Sequence, residues 1–172
     1  MGEIAIREEA RAVEYVILRP TMVVDIDDVV NLGGFSLMRK SLTPRRHAHH
    51  VFIADVAQAI VWSVERALLR NERLAGVSVY NVAEDDFPES SFEAILRKLR
   101  ASTGHSEYDV RPAPVLADAL VTFARFRTLP VRYPFGRMVF AADKLKRDGF
   151  RPRFGLDQLY RQAIDRIAAK GH

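Results

Sequence analysis

The segment Glu14-Tyr15-Val16-Ile17-Leu18-Arg19-Pro20-Thr21-Met22-Val23-Val24 is a near-continuous apolar run that stops at Arg-Pro. Side chains alternate between the two faces of a strand, so a strand with no polar alternation must be covered on both sides. That is the signature of a parallel sheet flanked by helices, and it makes an α/β architecture the expectation for residues 14 to 19 and whatever they pair with. Pro20 has no amide to give to a ladder and is placed to end the strand.

The remaining periodicities alternate helix and strand, with no internal repeat and no low-complexity linker. Residues 2 to 12 read as the end of a helix. A loop rich in Asp, Gly and Asn follows the strand (Asp25, Asp27, Asp28, Asn31, Gly33, Gly34), then a short helical piece near Phe35 to Lys40 and a basic loop with Arg45, Arg46, His47, His49 and His50. Asp55 stands where an N-cap belongs, ahead of a stripe of Val56, Ala59, Ile60, Val64, Ala67 and Leu68 running to about Arg70. Val77 to Val82 is the next strand. Ser90 and Glu93 have capping-box spacing before a helix that Gly104 should end. A short strand at Tyr108 to Arg111, a helix after Pro114, a connection through Pro130 and Pro134, a short helix from Asp143 and a last helix carrying Leu156, Leu159, Ala163, Ile164 and Ile167 complete the expectation.

With 172 residues, one domain over 1–172 is expected. The chain has no Cys, which excludes disulfides, thiolate metal ligands and a Cys nucleophile. Its first twelve residues mix Ile4 and Ile6 with Arg7, Glu8, Glu9 and Arg11, a pattern of neither a signal peptide nor a membrane span, so a cytoplasmic protein is expected. The net charge of +4 is unevenly spread: residues 1–86 hold 10 Lys/Arg and 13 Asp/Glu, or −3, while 87–172 hold 16 and 9, or +7. The basic residues of the second half are scattered and not interleaved with aromatics, so they read as solvated faces rather than a nucleic-acid surface.

Four segments together resemble the NAD(P)-dependent epimerase/dehydratase family of extended short-chain dehydrogenases/reductases, and only its C-terminal half. Arg19-Pro20-Thr21-Met22-Val23 is similar to that family's Arg-Pro-x-x-Val strand end, departing at Val24 and Asp25 from the usual Tyr-Gly. Val51-Phe52-Ile53-Ala54-Asp55-Val56-Ala57 resembles its strand-to-helix junction. Tyr80-Asn81-Val82 resembles its Tyr-Asn-Val strand, and Asp143-Lys144-Leu145 with Gly149-Phe150-Arg151-Pro152 its late Asp-x-x-Lys and Gly-Phe-x-Pro segment. The resemblance implies the C-terminal part of a Rossmann-like parallel sheet with a small, mostly helical substrate lobe. It also implies an oxidoreductase or epimerase that moves hydride between NAD or NADP and a carbonyl or carbinol carbon.

What such chemistry needs is absent from these 172 residues. Cofactor pyrophosphate sits on the amides of a Gly-rich turn, and Gly33-Gly34 is the only adjacent pair. The family's acid/base is a Tyr with a Lys four residues on. Here Tyr15, Tyr80, Tyr108, Tyr133 and Tyr160 are followed at that spacing by Arg19, Glu84, Pro112, Arg137 and Ile164. No catalytic residue is therefore assigned, and the chain alone is expected to bind no cofactor. By the resemblance, Pro20, Thr21, Met22 and Val23 line the nicotinamide side of the cofactor pocket, and Asn31, Arg45, Arg46 and His49 fall where substrate-contacting loops lie. Ala48 stands at the family's usual Arg position, which argues against a diphosphate-sugar substrate. His47, His49 and His50 lack a supporting carboxylate or Cys spacing, so no metal site is expected. Two readings follow: a truncated or split enzyme carrying the substrate half, or a non-catalytic binding or assembly module. Either predicts an open sheet edge and therefore a homo-oligomer or a separately encoded N-terminal half as partner.

Overall fold

A computed structural model describes residues 15–42, 44–69, 77–125 and 139–170. The expectations for residues 2 to 12 and for Pro130 and Pro134 lie outside the described residues.

The chain is α/β. Strand β1 (Tyr15–Pro20) runs parallel to β4 (Val77–Val82), in register from Tyr15 opposite Val77 to Pro20 opposite Val82. The chain then steps sideways through Thr21 into β2 (Met22–Val24), which pairs in parallel with β3 (His50–Phe52). Two hydrogen bonds fix the step: the Thr21 amide donates to the Val82 carbonyl (3.1 Å) and the Met22 amide to that of His49 (2.8 Å). Tyr15 to Leu18 are only half-buried, not covered on both faces as their composition implies. Among the described residues β1 is bonded to β4 alone, so part of its apolar surface is uncovered.

The Asp-rich stretch after β2 is not a loop. Asp25 caps α1 (Ile26–Val30): its side chain accepts from the Asp28 amide (2.8 Å), and Asp28 accepts from the Asp25 amide (3.0 Å). This reciprocal pair, read from sequence as loop punctuation, satisfies two end amides and starts the helix. A 3-10 turn (Asn31–Gly34) and α2 (Leu37–Leu42) follow, and Lys40 Nζ reaches back to the Gly33 carbonyl (2.7 Å) and also bonds the Glu107 carbonyl.

Helix α3 (Ile53–Leu69) follows β3 without a break, so Asp55 lies in its first turn and does not cap it. The expected stripe splits. Ala59 is fully buried and Val56 half-buried, with Trp62 packed edge-on against Tyr80 and Phe150, whereas Ile60, Val64 and Leu68 are 53, 53 and 76% exposed. Ile53 and Val61 share the exposed side. The helix is thus apolar on both faces while only one is covered.

Helix α4 (Phe92–Thr103) is capped by Ser91, which accepts from the Ala94 amide (3.1 Å), one residue later than the Ser90 spacing implies. Gly104 ends it in the left-handed conformation (φ 75°), as expected. The expected strand at Tyr108 to Arg111 is instead a 3-10 turn (Ser106–Tyr108) and an irregular segment. Burial of the Tyr108 ring, with its hydroxyl donating to the Val30 carbonyl (2.8 Å), overrides the local β preference. Among the described residues, helices α5 (Val115–Arg125), α6 (Asp143–Arg147) and α7 (Gly155–Lys170) follow. One core joins α1, α4 and α7 through residues such as Val29, Leu96, Leu99, Leu159 and Ala163. A second lies under α3 and α6 around Tyr80, Val82, Leu145 and Phe150.

Candidate functional site

In open α/β sheets, ligands bind at the carboxyl ends of the strands, where backbone groups and loops converge. Here the carboxyl ends of β1 and β4, with Pro20, Thr21 and the Glu84-Asp85-Asp86 loop, meet the amino ends of β2 and β3, with Met22, His47 and His49.

His49 is the only described non-glycine residue with positive φ (53°). Its Nδ1 lies 2.8 Å from Asp85 Oδ2, and the same carboxylate oxygen accepts from the Phe140 amide (2.7 Å). The Asp85 side chain is 1% exposed and the His49 side chain 22%. The Phe140 ring meets the imidazole edge-on at 5.2 Å, and His47 stacks on its other side at 5.7 Å. His47 Nδ1 in turn bonds Ser90 Oγ (2.9 Å). A cleft of about 460 Å³ opens beside this group, lined by Arg45, His47, Pro88, Ser90, Ser91 and Glu93. The α4 amides next to the cleft are spent internally: Phe92 on the Arg46 carbonyl, Glu93 on that of Pro44 and Ala94 on Ser91 Oγ.

His50 points elsewhere. It is buried, its Nδ1 is 3.2 Å from the Tyr160 hydroxyl, and burial lowers its pKa to about 4, so it is neutral at pH 7. Burial likewise holds the Tyr160 hydroxyl well above the usual range, with the Glu84 and Glu89 charges adding to it.

Asp55, 1% exposed, is the tie at the base of the site. It accepts from the backbone amides of Arg153 (3.1 Å), Phe154 (3.0 Å) and Gly155 (2.7 Å) at the start of α7. Glu84 stands against this carboxylate. Its Oε2 is buried without a hydrogen-bond partner among the described residues, as is Asp85 Oδ1. Burial, then the Asp55 and Asp86 charges, push the Glu84 carboxyl up to about 7, against the pull of Lys146 and the Leu156 amide. Asp86 is held low by its bond to Lys146 (2.5 Å).

The sequence-derived site residues divide accordingly. Pro20 and Thr21 lie at the carboxyl end of β1, and Met22 and Val23 open β2 beside them. The Thr21 and Met22 amides are already bonded, while the Met22 and Val23 side chains are 47 and 39% exposed, so this stretch offers an apolar surface and no anion cradle. That suits an apolar group and not a pyrophosphate. His49 joins the same junction from the amino end of β3. Arg45 borders the cleft and donates from Nη1 to the Ala113 carbonyl (2.7 Å), and Arg46 adjoins it in the turn ahead of His47. Asn31 is set apart, exposed in the 3-10 turn after α1. Glu84 and Asp85 carry no motif that marks them in the sequence, and Ser90 reads there only as a helix cap. The signal is only the run Glu84-Asp85-Asp86 itself, three acids directly after a strand that ends at Val82. Among the described residues no three His, Cys, Asp or Glu side chains gather as a metal would require, and no helix is long and apolar enough to cross a membrane. No family model, curated protein or solved structure matches this chain.

Proposed function

We propose that this chain carries the substrate-binding half of an NAD(P)-dependent epimerase/dehydratase-like reductase, with the Gly-rich cofactor loop and the Tyr-x-x-x-Lys pair contributed by a segment outside these 172 residues. The observation that carries the reading is the β1–β4 ladder, which aligns Arg19-Pro20 with Asn81-Val82 in a parallel pair that has two strands among the described residues. Parallel strands belong in larger sheets covered on both faces, so a pair with half-buried residues on β1 calls for further strands beside it. The bound nicotinamide would supply the hydride, and Pro20 to Val23 would form the apolar wall along its ring. Calorimetric titration with NAD(H) and NADP(H) tests the reading. The isolated chain is expected to show no binding at micromolar concentrations, and the polypeptide translated with the coding sequence immediately upstream of Met1 to bind one equivalent. Saturable one-to-one binding by the isolated chain would overturn it.

The exposed apolar side of α3 favours a second reading, a module that assembles with itself. Ile53, Ile60, Val61, Val64 and Leu68 are each more than half exposed. A two-fold contact through this face would need to bury above roughly 1,000 Å² in total. Light scattering at tens of micromolar decides it: a homodimer or larger assembly is expected, and a cooperatively folded monomer excludes it.

A further inference from the structure

No Tyr of this chain has a Lys four residues on, yet one imidazole is held as an acid/base group needs to be. Asp85 is buried, so its carboxylate depends on the donors it faces, and one of these is His49 Nδ1 at 2.8 Å. An ionised carboxylate only accepts, so the proton of that bond belongs to Nδ1. This assigns the tautomer of the neutral ring, with the lone pair on Nε2, in a side chain that is 22% exposed. The Phe140 amide on the same Asp85 oxygen prevents the carboxylate from turning away. His47 and Phe140 hold the ring between a stacked and an edge-on contact. The left-handed backbone at His49, costly for a residue with a Cβ, persists only where surrounding contacts impose it, and such positions cluster at working sites.

We propose that His49, oriented by Asp85, is a proton-transfer group that acts on a ligand hydroxyl other than the one the Tyr of the Tyr-x-x-x-Lys pair would serve, the ligand being seated in the adjacent cleft of Arg45, His47 and Ser90. In the forward step the ligand O–H bond breaks as Nε2–H forms, and the electron pair stays on the ligand oxygen. The imidazolium so made lies against the Asp85 carboxylate, and the reverse step returns the proton. The proposal rests on the substrate-half reading for the class of ligand, while the juxtaposition of His49 and Asp85 is independent of it. Asp85 is a positioning residue, since it acts through His49.

Carbethoxylation by diethyl pyrocarbonate, followed by peptide mass spectrometry at pH 7, reads the reactivity of each imidazole with no cofactor or substrate present. His49 is expected to react roughly tenfold or more faster than the more exposed His105, and Asp85→Asn to remove that advantage with circular dichroism unchanged. A merely structural pair predicts a rate for His49 at or below that of His105, which would overturn the proposal. Should Asp85→Asn fail to fold, the long-range nitrogen–proton spectrum of the wild-type imidazoles decides instead. Nδ1–H with unprotonated Nε2 on His49 supports the proposal, and the Nε2–H tautomer common in water overturns it. Neither readout uses NAD(P), so a negative cofactor titration and a negative His49 result remain separate.

Discussion

Replacing Glu84 by Gln should change how stability depends on pH, in a direction set by two buried groups of opposite sense. The Glu84 carboxyl moves from 4.5 to about 7 on folding. A group whose folded value is raised contributes stability that is fully present below pH 4.5 and is lost as pH rises toward 7, because the unfolded chain releases its proton first. That displacement corresponds to about 3 kcal/mol, trimmed to about 2 for the solvent that reaches this half-buried side chain. His50 works the other way. Its value falls from 6.5 to about 4, so its contribution is present above pH 6.5 and lost as pH drops toward 4, on the order of 3 kcal/mol for a residue 3% exposed. Between pH 4.5 and 6.5 the two slopes oppose each other, and the wild-type chain should show a shallow profile. Gln can still accept the Leu156 amide but carries no charge beside Asp55. Glu84→Gln should therefore match the wild type near pH 4.5 and exceed it by about 2 kcal/mol at pH 8, with stability now rising steeply between pH 4 and 6.5. Urea unfolding followed by circular dichroism at half-unit pH steps measures this directly. Parallel wild-type and variant profiles, offset by a constant, would refute the assignment of Glu84 as a carboxyl protonated by its surroundings.

Asp55→Ala should cost about 3 kcal/mol, because three amides at the start of α7 lose a charged acceptor at once; chemical denaturation at pH 7 reads it. Gly104→Ala should cost about 1 kcal/mol at φ 75°, seen as a lowered Tm. Tyr108→Phe removes the hydroxyl bond to Val30 and should cost about 1 kcal/mol in the same denaturant series while leaving the ring packed. Val64→Lys on the exposed face of α3 should leave the monomer's stability within about 0.5 kcal/mol and abolish any self-association detected by light scattering.

The two longer strands and the long helices are legible because their signals are local, whereas the three-residue strands β2 and β3 are too short to show a period. The Val77 to Val82 strand, the left-handed stop at Gly104 and the last helix from Leu156 to Ile167 depend on nearest-neighbour pattern and chain punctuation. The helix at Ile26–Val30 escaped notice because five residues carry little periodicity, and its start rests on an Asp-x-x-Asp pair that also reads as a turn. Asp55 looked like a cap for the helix it sits in. Its partners are some 100 residues away in sequence, and no local pattern encodes them. The site was legible only as a location. The strand-end residues and His49 fall at one junction of strand ends, but the link from His49 to Asp85 spans 36 positions and depends on tertiary packing, as does the link from His47 to Ser90.

The tie from Asp55 to residues 153–155 also bears on the order in which the chain acquires structure. Helix α7 contributes Leu156, Leu159, Tyr160, Ala163 and Ile167 to the main core, yet its first turn is secured by a side chain from α3. On a ribosome, α1 and α4 emerge well before the segment that seals them, and they must wait with their shared apolar surface unsealed. Closure of so long a loop is entropically slow and comes after local helices have formed. Docking of α7 is therefore expected late in folding, and a chain that stops before Gly155 is expected to lack the fixed packing of the main core, read as a lost near-ultraviolet circular dichroism signal.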